Sequence, residues 1–201
     1  MSGLTSIGGS DLKNLLATLA LVAFASTASA GTTAFVGYDY NAKAGGSGST
    51  QEVAAGVAVD TKIGRFDGAL VGNRYRAARE DDSLGFEVGY SNGVKLAAGN
   101  LAGRVGFGRK NQIDCAGGGF KGNLQYYTLG AEFTAPLTSN LGGFVGYQHK
   151  NGTNTVFAEN RVSAGVDLAL SKNASARVGY AYTTCGGLTF NGVTTALAYQ
   201  F

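Results

Sequence analysis

The sequence predicts an all-β protein, a transmembrane antiparallel up-and-down β-barrel with ten strands favoured and eight as the alternative. Three observations carry that prediction. Segment after segment alternates apolar with small or polar side chains at a period of two, the signature of a strand with two unlike faces. Charged residues make up only 14% of the 201 residues, with 33 Gly and one Pro, against about 25% charge in an ordinary soluble domain. The connections between segments alternate between short and long, as barrel turns and loops do.

The first thirty residues stand apart. Leu15 to Phe24 is a ten-residue apolar run followed by Ala-Ser-Thr-Ala-Ser-Ala30, an A-x-A-like cleavage site before Gly31. A membrane helix needs about 20 apolar residues, so residues 1–30 are expected to be a secretory signal peptide and 31–201 the barrel. Removing the segment takes away Lys13 together with Asp11 and leaves the net charge at +3. That modest charge, spread along the chain, gives no support to nucleic-acid binding.

Each strand follows from its own alternation. Strand one, near Thr32 to Ala42, sets Ala34, Val36, Tyr38 and Tyr40 against Thr33, Phe35, Gly37 and Asp39. Strand two, Gln51 to Thr61, sets Val53, Ala55, Val57 and Val59 against Ala54, Gly56, Ala58 and Asp60. Strand three, Arg65 to Arg76, is ambiguous in face, because Phe66 and Leu70 compete with Ala69, Val71 and Tyr75. Strand four, Leu84 to Ser91, opposes Leu84, Phe86, Val88 and Tyr90 to Gly85, Glu87 and Gly89. Strand five, Leu101 to Arg109, turns Arg104 away from Leu101, Val105 and Phe107. Strand six, Asn123 to Thr134, sets Tyr127, Leu129 and Phe133 against Tyr126, Thr128 and Glu132. Strand seven, Leu141 to Lys150, opposes Val145 and Tyr147 to Phe144, Gly146 and Gln148. Strand eight, Arg161 to Leu170, sets Val162, Val166 and Leu168 against Ser163, Gly165 and Asp167. Strand nine, Ala174 to Tyr182, sets Val178 and Tyr180 against Ser175, Arg177 and Gly179. The tenth, Asn191 to Phe201, places Val193, Thr195, Leu197, Tyr199 and Phe201 on one face.

The short connections are Lys62–Gly64, Ala135–Asn140 and Ser171–Asn173; the longer ones are Lys43–Thr50, Ala77–Ser83, Lys110–Lys121, Asn151–Asn160 and Thr183–Asn191. Asn92–Asn100 breaks the rule: it should be a tight turn, yet it is long and partly apolar, which suggests extensions of strands four and five. An even strand count returns both ends of the barrel to the same side.

The two faces decide the solvent. A soluble antiparallel sheet carries Lys, Glu and Gln on its non-core face, whereas the less apolar face here is Gly, Ala, Ser and Thr with about one charge per strand. That face suits a narrow lumen in which Asp39, Asp60, Glu87, Arg104, Glu132, Asp167 and Arg177 pair with one another. The other face suits lipid, with Tyr and Phe near the strand ends as interfacial girdles.

With these features together, the chain resembles the small outer-membrane barrel proteins of Gram-negative bacteria, of the OmpA-type transmembrane domain, OmpX/Ail-type and opacity-type kinds. The resemblance covers 31–201 and is one of architecture; its single motif is the Ala198-Tyr-Gln-Phe201 ending. It implies that Tyr199 and Phe201 form the C-terminal signal read by the barrel-assembly machinery. It also implies residence in the cell outer membrane among lipid and lipopolysaccharide, with outer loops open to host or phage surface ligands.

Two cysteines in an exported protein favour pairing, and Cys115 and Cys185 both fall in long loops beside glycines. A disulfide closing about 70 residues would contribute about 4 kcal/mol in the chain-entropy account. No cysteine or histidine cluster suggests a metal site, and no cofactor is expected. The single His149 shares the parity of Val145 and Tyr147. Lipid A deacylases are small barrels with a His and, two residues on, a Ser; here position 151 is Asn. Thr153 or Thr155 would have to act as nucleophile with Glu159 as partner, so no enzyme is expected. A structural or surface-interaction barrel is preferred, with a small porin for ions or very small solutes as the alternative and a lipid A-modifying barrel enzyme as a remote one.

Overall fold

The computed structural model describes residues 31–44, 48–76, 80–112 and 121–201. Ten strands form: β1 Thr32–Lys43, β2 Ser49–Thr61, β3 Gly64–Arg76, β4 Glu80–Leu96, β5 Gly99–Gln112, β6 Lys121–Pro136, β7 Leu141–Gly152, β8 Ala158–Ala169, β9 Ala174–Cys185 and β10 Leu188–Gln200. Each pairs antiparallel with its sequence neighbours, and β1 pairs with β10, so the sheet is a closed barrel. The strands run 12 to 17 residues, more than the roughly 9–11 that cross a bilayer as tilted strands. The expected signal peptide and Cys115 lie outside the described residues.

Closure follows from the register. Thr33 lies opposite Gln200 and Lys43 opposite Phe190, an uninterrupted seam between the first and last strands. Following the cross-strand partners once round the wall advances about twelve residues along β1, the stagger that tilts the strands of a closed barrel by about 35–45°. Each strand is thereby paired on both sides, with one register irregularity between Lys110 and Gln112, as a sheet that meets lipid requires.

The two faces separate as the alternation demands. Leu84, Val105, Leu129, Val145, Val178 and Leu197 all point outward and are exposed. Among the described outward side chains of the strands only Arg74 and Arg109 are charged, both near one end. On β3 the ambiguity resolves, with Phe66 and Leu70 outside and Val71 buried inside. Sequence had left the choice open because this wall is apolar outside and lined with small apolar residues within.

The barrel has a turn end and a loop end. At the turn end lie both chain ends of the barrel and four compact connections. Asn92–Asn100, the exception of the sequence, is a strand extension: β4 and β5 run on to a turn at Ala97-Ala98, with Lys95 opposite Asn100. At the loop end the connection expected over Thr183–Asn191 is mostly strand. β9 and β10 continue to a two-residue turn at Gly186-Gly187, with φ of 56° and 79°. Two consecutive positive φ values define the hairpin turn whose twist matches its strands, and glycine adopts them without strain.

Candidate functional site: a charged lumen under an apolar lid

Period-two geometry sends every second side chain inward, and the charges gathered there pair across the lumen. Nearest the turn end, Arg177 on β9 donates to Glu132 on β6 at 2.7 and 3.0 Å and to Asp167 on β8 at 2.7 and 2.9 Å. Its guanidinium carbon stands 4.1 Å from the centre of the Phe144 ring. That ring lies over Gly165 and Gly179, where a Cβ would come within 2.8 and 2.7 Å of it. On the opposite wall Arg104 donates to Asp67 at 2.5 Å and to Glu87 at 2.6 Å.

A second tier lies further in. Arg161 donates to Asp39 at 2.5 Å, and Lys150 meets Glu87 at 3.3 Å. Tyr126, fully buried, donates to the same carboxylate oxygen at 3.1 Å, while Arg104 holds the other. Lys110 meets Glu52 at 3.4 Å, and Asn73 bridges that pair, donating to Glu52 at 2.5 Å and accepting from Lys110 at 2.8 Å. Both lysine ammonium groups also stand over the Tyr126 ring, 5.8 and 5.4 Å from its centre. Glu87 is the hub: one buried carboxylate touched by Arg104, Lys150 and Tyr126.

The loop end is capped on one side by an apolar cluster of Leu124, Tyr126, Phe157, Cys185 and Phe190, with Leu188 packed against it. Phe157 comes from the β7–β8 loop, which is tied down along β6. The Thr153 amide donates to the Gln125 carbonyl at 2.8 Å, and the Gln125 amide donates to Asn154 at 2.9 Å. Beneath lid and ion pairs, the lumen widens to a cavity of about 780 Å³ towards the turn end. It is lined by Arg65, Asp67, Arg104, Glu132, Asp167 and Arg177 among others.

Of the charges expected in the lumen, Glu87 and Arg104 meet each other, and Glu132, Asp167 and Arg177 form one cluster. Asp39 instead pairs with Arg161. Asp60 has inward parity but lies at the turn-end mouth, half-exposed beside Arg65 at 3.5 Å. Glu52, Asp67, Lys110, Lys150 and Arg161 were missed. For all but Asp67 the signal was available, since each stands an even number of residues from an inward residue of its own strand; Asp67 lies on β3, whose faces the sequence left open. Cys185 is buried in the lid at the end of β9, and Tyr199 and Phe201 stack edge-on at 5.1 Å beside the seam.

His149 projects outward, as its parity requires, and its Nδ1 lies 2.9 Å from the Asn160 side-chain oxygen. Tyr147 donates to the same oxygen at 2.8 Å. Glu159 lines the lumen side instead, so the wall of the barrel separates it from His149.

No protein-family model matches the chain, and neither does any curated protein. Solved structures do. The β-domain of the Bordetella autotransporter BrkA is 13% identical with a TM-score of 0.50 over 86% of this chain and 99% of its own. The translocator domain of the autotransporter NalP from Neisseria meningitidis is 16% identical with a TM-score of 0.49 over 96% and 94%. KdgM porin is 14% identical with a TM-score of 0.42 over 83% and 99%. At such identities the likeness speaks to the fold: this chain shares with the BrkA domain the closed antiparallel barrel.

Proposed function

We propose that this protein is an integral outer-membrane barrel whose lumen is closed towards the cell exterior and whose role is structural or surface-interacting. The turn end then faces the periplasm and the loop end the outside, the usual order of short turns and longer loops. The observation that carries the reading is the filled outer half of the lumen. Ion pairs Asp39–Arg161, Glu52–Lys110 and Glu87–Lys150 cross it at 2.5, 3.4 and 3.3 Å under the Leu124–Phe157–Phe190 lid. The apolar outer wall supports burial in lipid, with lipopolysaccharide around the loop end. The Tyr199–Phe201 ending supports delivery by the barrel-assembly machinery. Host or phage ligands would be met by the loops.

A planar bilayer tests the reading. Refolded protein, shown to be a barrel by heat-modifiable gel mobility, is expected to give a silent bilayer. Discrete conductance steps whose selectivity changes in Arg104→Ala or Arg177→Ala would instead make it a small porin. That second reading draws on the cavity of about 780 Å³ at the turn end.

Two further parts of the proposal concern chemistry. A Cys115–Cys185 disulfide ties the β5–β6 connection to the buried end of β9. Alkylation followed by intact mass is expected to label no thiol until a reductant is added, and then two. No catalytic role is proposed: the outward His149 is matched with Asn160 and Tyr147, and among the described residues no hydrogen bond joins it to a carboxylate of the kind that hydroxyl chemistry uses to orient its base. His149→Ala should leave lipid A acylation in the host membrane unchanged.

A further inference from the structure

The turn-end rim has a composition of its own. The β2–β3 turn presents Lys62 and Ile63, the end of β4 presents Leu96 outward and Lys95 on the parity of the lumen face, the β8–β9 turn Leu170 and Lys172, and the β6–β7 turn Leu137 without a lysine. All four aliphatic side chains are exposed, Ile63 at 66% and Leu137 at 58%. The tips are held rigidly. Tyr90 and Asn92 donate to the Ile63 carbonyl, the Leu137 and Thr138 amides donate to the Leu141 carbonyl, and the Leu170 amide donates to the Ala174 carbonyl. An aliphatic group at the tip of each turn is out of place in water, where polar residues ordinarily stand.

The charge is as uneven as the hydropathy. Of the carboxylates near this rim, Asp60 is paired with Arg65 and Asp167 with Arg177. Among the described residues no ion pair involves Lys62, Lys95 or Lys172. Lys62 and Lys172 thus stand at two separate turns of the barrel mouth, each within two residues of an exposed aliphatic side chain, while Lys95 lines the mouth of the lumen with Asn100 and Asp167.

We propose that this rim is a lipid-recognition collar: Ile63, Leu96, Leu137 and Leu170 enter the acyl edge of the leaflet while Lys62 and Lys172 bind anionic phospholipid headgroups. The inference rests on the membrane-barrel reading and adds to it which leaflet chemistry the turn end selects. An ammonium on an alkyl stem beside an aliphatic anchor reaches outward from the acyl boundary to the phosphate level, as long basic side chains do at interfaces. A lysine near an anionic lipid surface gains enough for about a fivefold change in affinity, and the attraction is screened by salt.

Native mass spectrometry of the folded barrel, released from micelles containing equal phosphatidylglycerol and phosphatidylcholine, provides the test. The wild type is expected to retain phosphatidylglycerol preferentially. Each of Lys62→Gln and Lys172→Gln should lower that preference by about fivefold, Lys95→Gln, at the lumen mouth, should leave it unchanged, and the triple variant should abolish it. Leu137→Ser, in the turn without a lysine, should leave the preference intact. Equal retention of both lipids by the wild type, or a triple variant as selective as the wild type, overturns the collar while the barrel stands. Failure of the chain to give a heat-modifiable band in phosphatidylcholine bilayers overturns the membrane-barrel reading itself, and the collar with it.

Discussion

Glu87→Ala is expected to destabilise the barrel by about 3–5 kcal/mol, the usual consequence of stranding a buried charge by removing its partner. The size follows from what surrounds the carboxylate. Glu87 and the Lys150 side chain are both nearly inaccessible, at 9% and 8%. Arg104 and Tyr126 reach the same carboxylate from other strands. Deleting it leaves the Lys150 ammonium and a phenol in a space that water reaches poorly, where an unsatisfied polar group also loses its hydrogen bond, while Arg104 keeps Asp67. Glu87→Gln keeps one acceptor for Tyr126 or Lys150 and should fall between the two. Arg65→Ala breaks a half-exposed pair with Asp60 and should change stability by about 1 kcal/mol or less. Since the chain has no Trp, urea unfolding in micelles is followed by far-ultraviolet circular dichroism. Equal midpoints for Glu87→Ala and Arg65→Ala would contradict the hub.

Gly192→Val should prevent closure altogether. A Cβ at position 192 would overlap the Tyr40 carbonyl oxygen and come within 2.6 Å of the Asn41 α-carbon on the neighbouring strand. Backbone cannot swing aside as a long side chain can, so β1 and β10 would have to separate or slip. A slip of one residue would carry Val193, Leu197 and Tyr199 to the lumen and the small residues to the lipid face. The expected result is loss of the compact, heat-modifiable band, whereas Gly103→Ala, where the added Cβ meets nothing within 4 Å, should fold as the wild type does. A folded Gly192→Val barrel of normal mobility would show that the seam tolerates a different register.

The ten strands and their faces were legible in the sequence because the barrel wall imposes a period of two from Thr33 to Gln200. Where both faces are apolar, as around Phe66, Leu70 and Val71, that period carries no sign and only the closed wall supplies it. The loops were read too long because strands outrun the membrane. Beyond lipid, the outward residues turn polar, and Thr184, Thr189 and Asn191 look like loop although they keep the ladder. The lumen was half legible. Arg104, Glu87, Glu132, Asp167 and Arg177 sit in strands of clear parity, but Asp67 sits on the strand of ambiguous face, and Glu52, Lys110, Lys150 and Arg161 stand at strand ends, where the alternation was cut short. The lid was not legible, since Leu124, Phe157 and Phe190 come together only through closure and through a loop fastened to β6.

The seam also sets a timetable. Thr195 bonds back to the Tyr38 carbonyl across 157 positions of chain, and β1 has β2 as its one available partner until β10 has left the ribosome. Contacts so distant in sequence make for slow folding, so the newly made chain must travel with an unpaired edge on either side. Such edges pair readily with other chains. On the outer-membrane reading proposed above, escort through the aqueous compartment is then a demand of the topology itself, whatever the loops recognise once the barrel is in place.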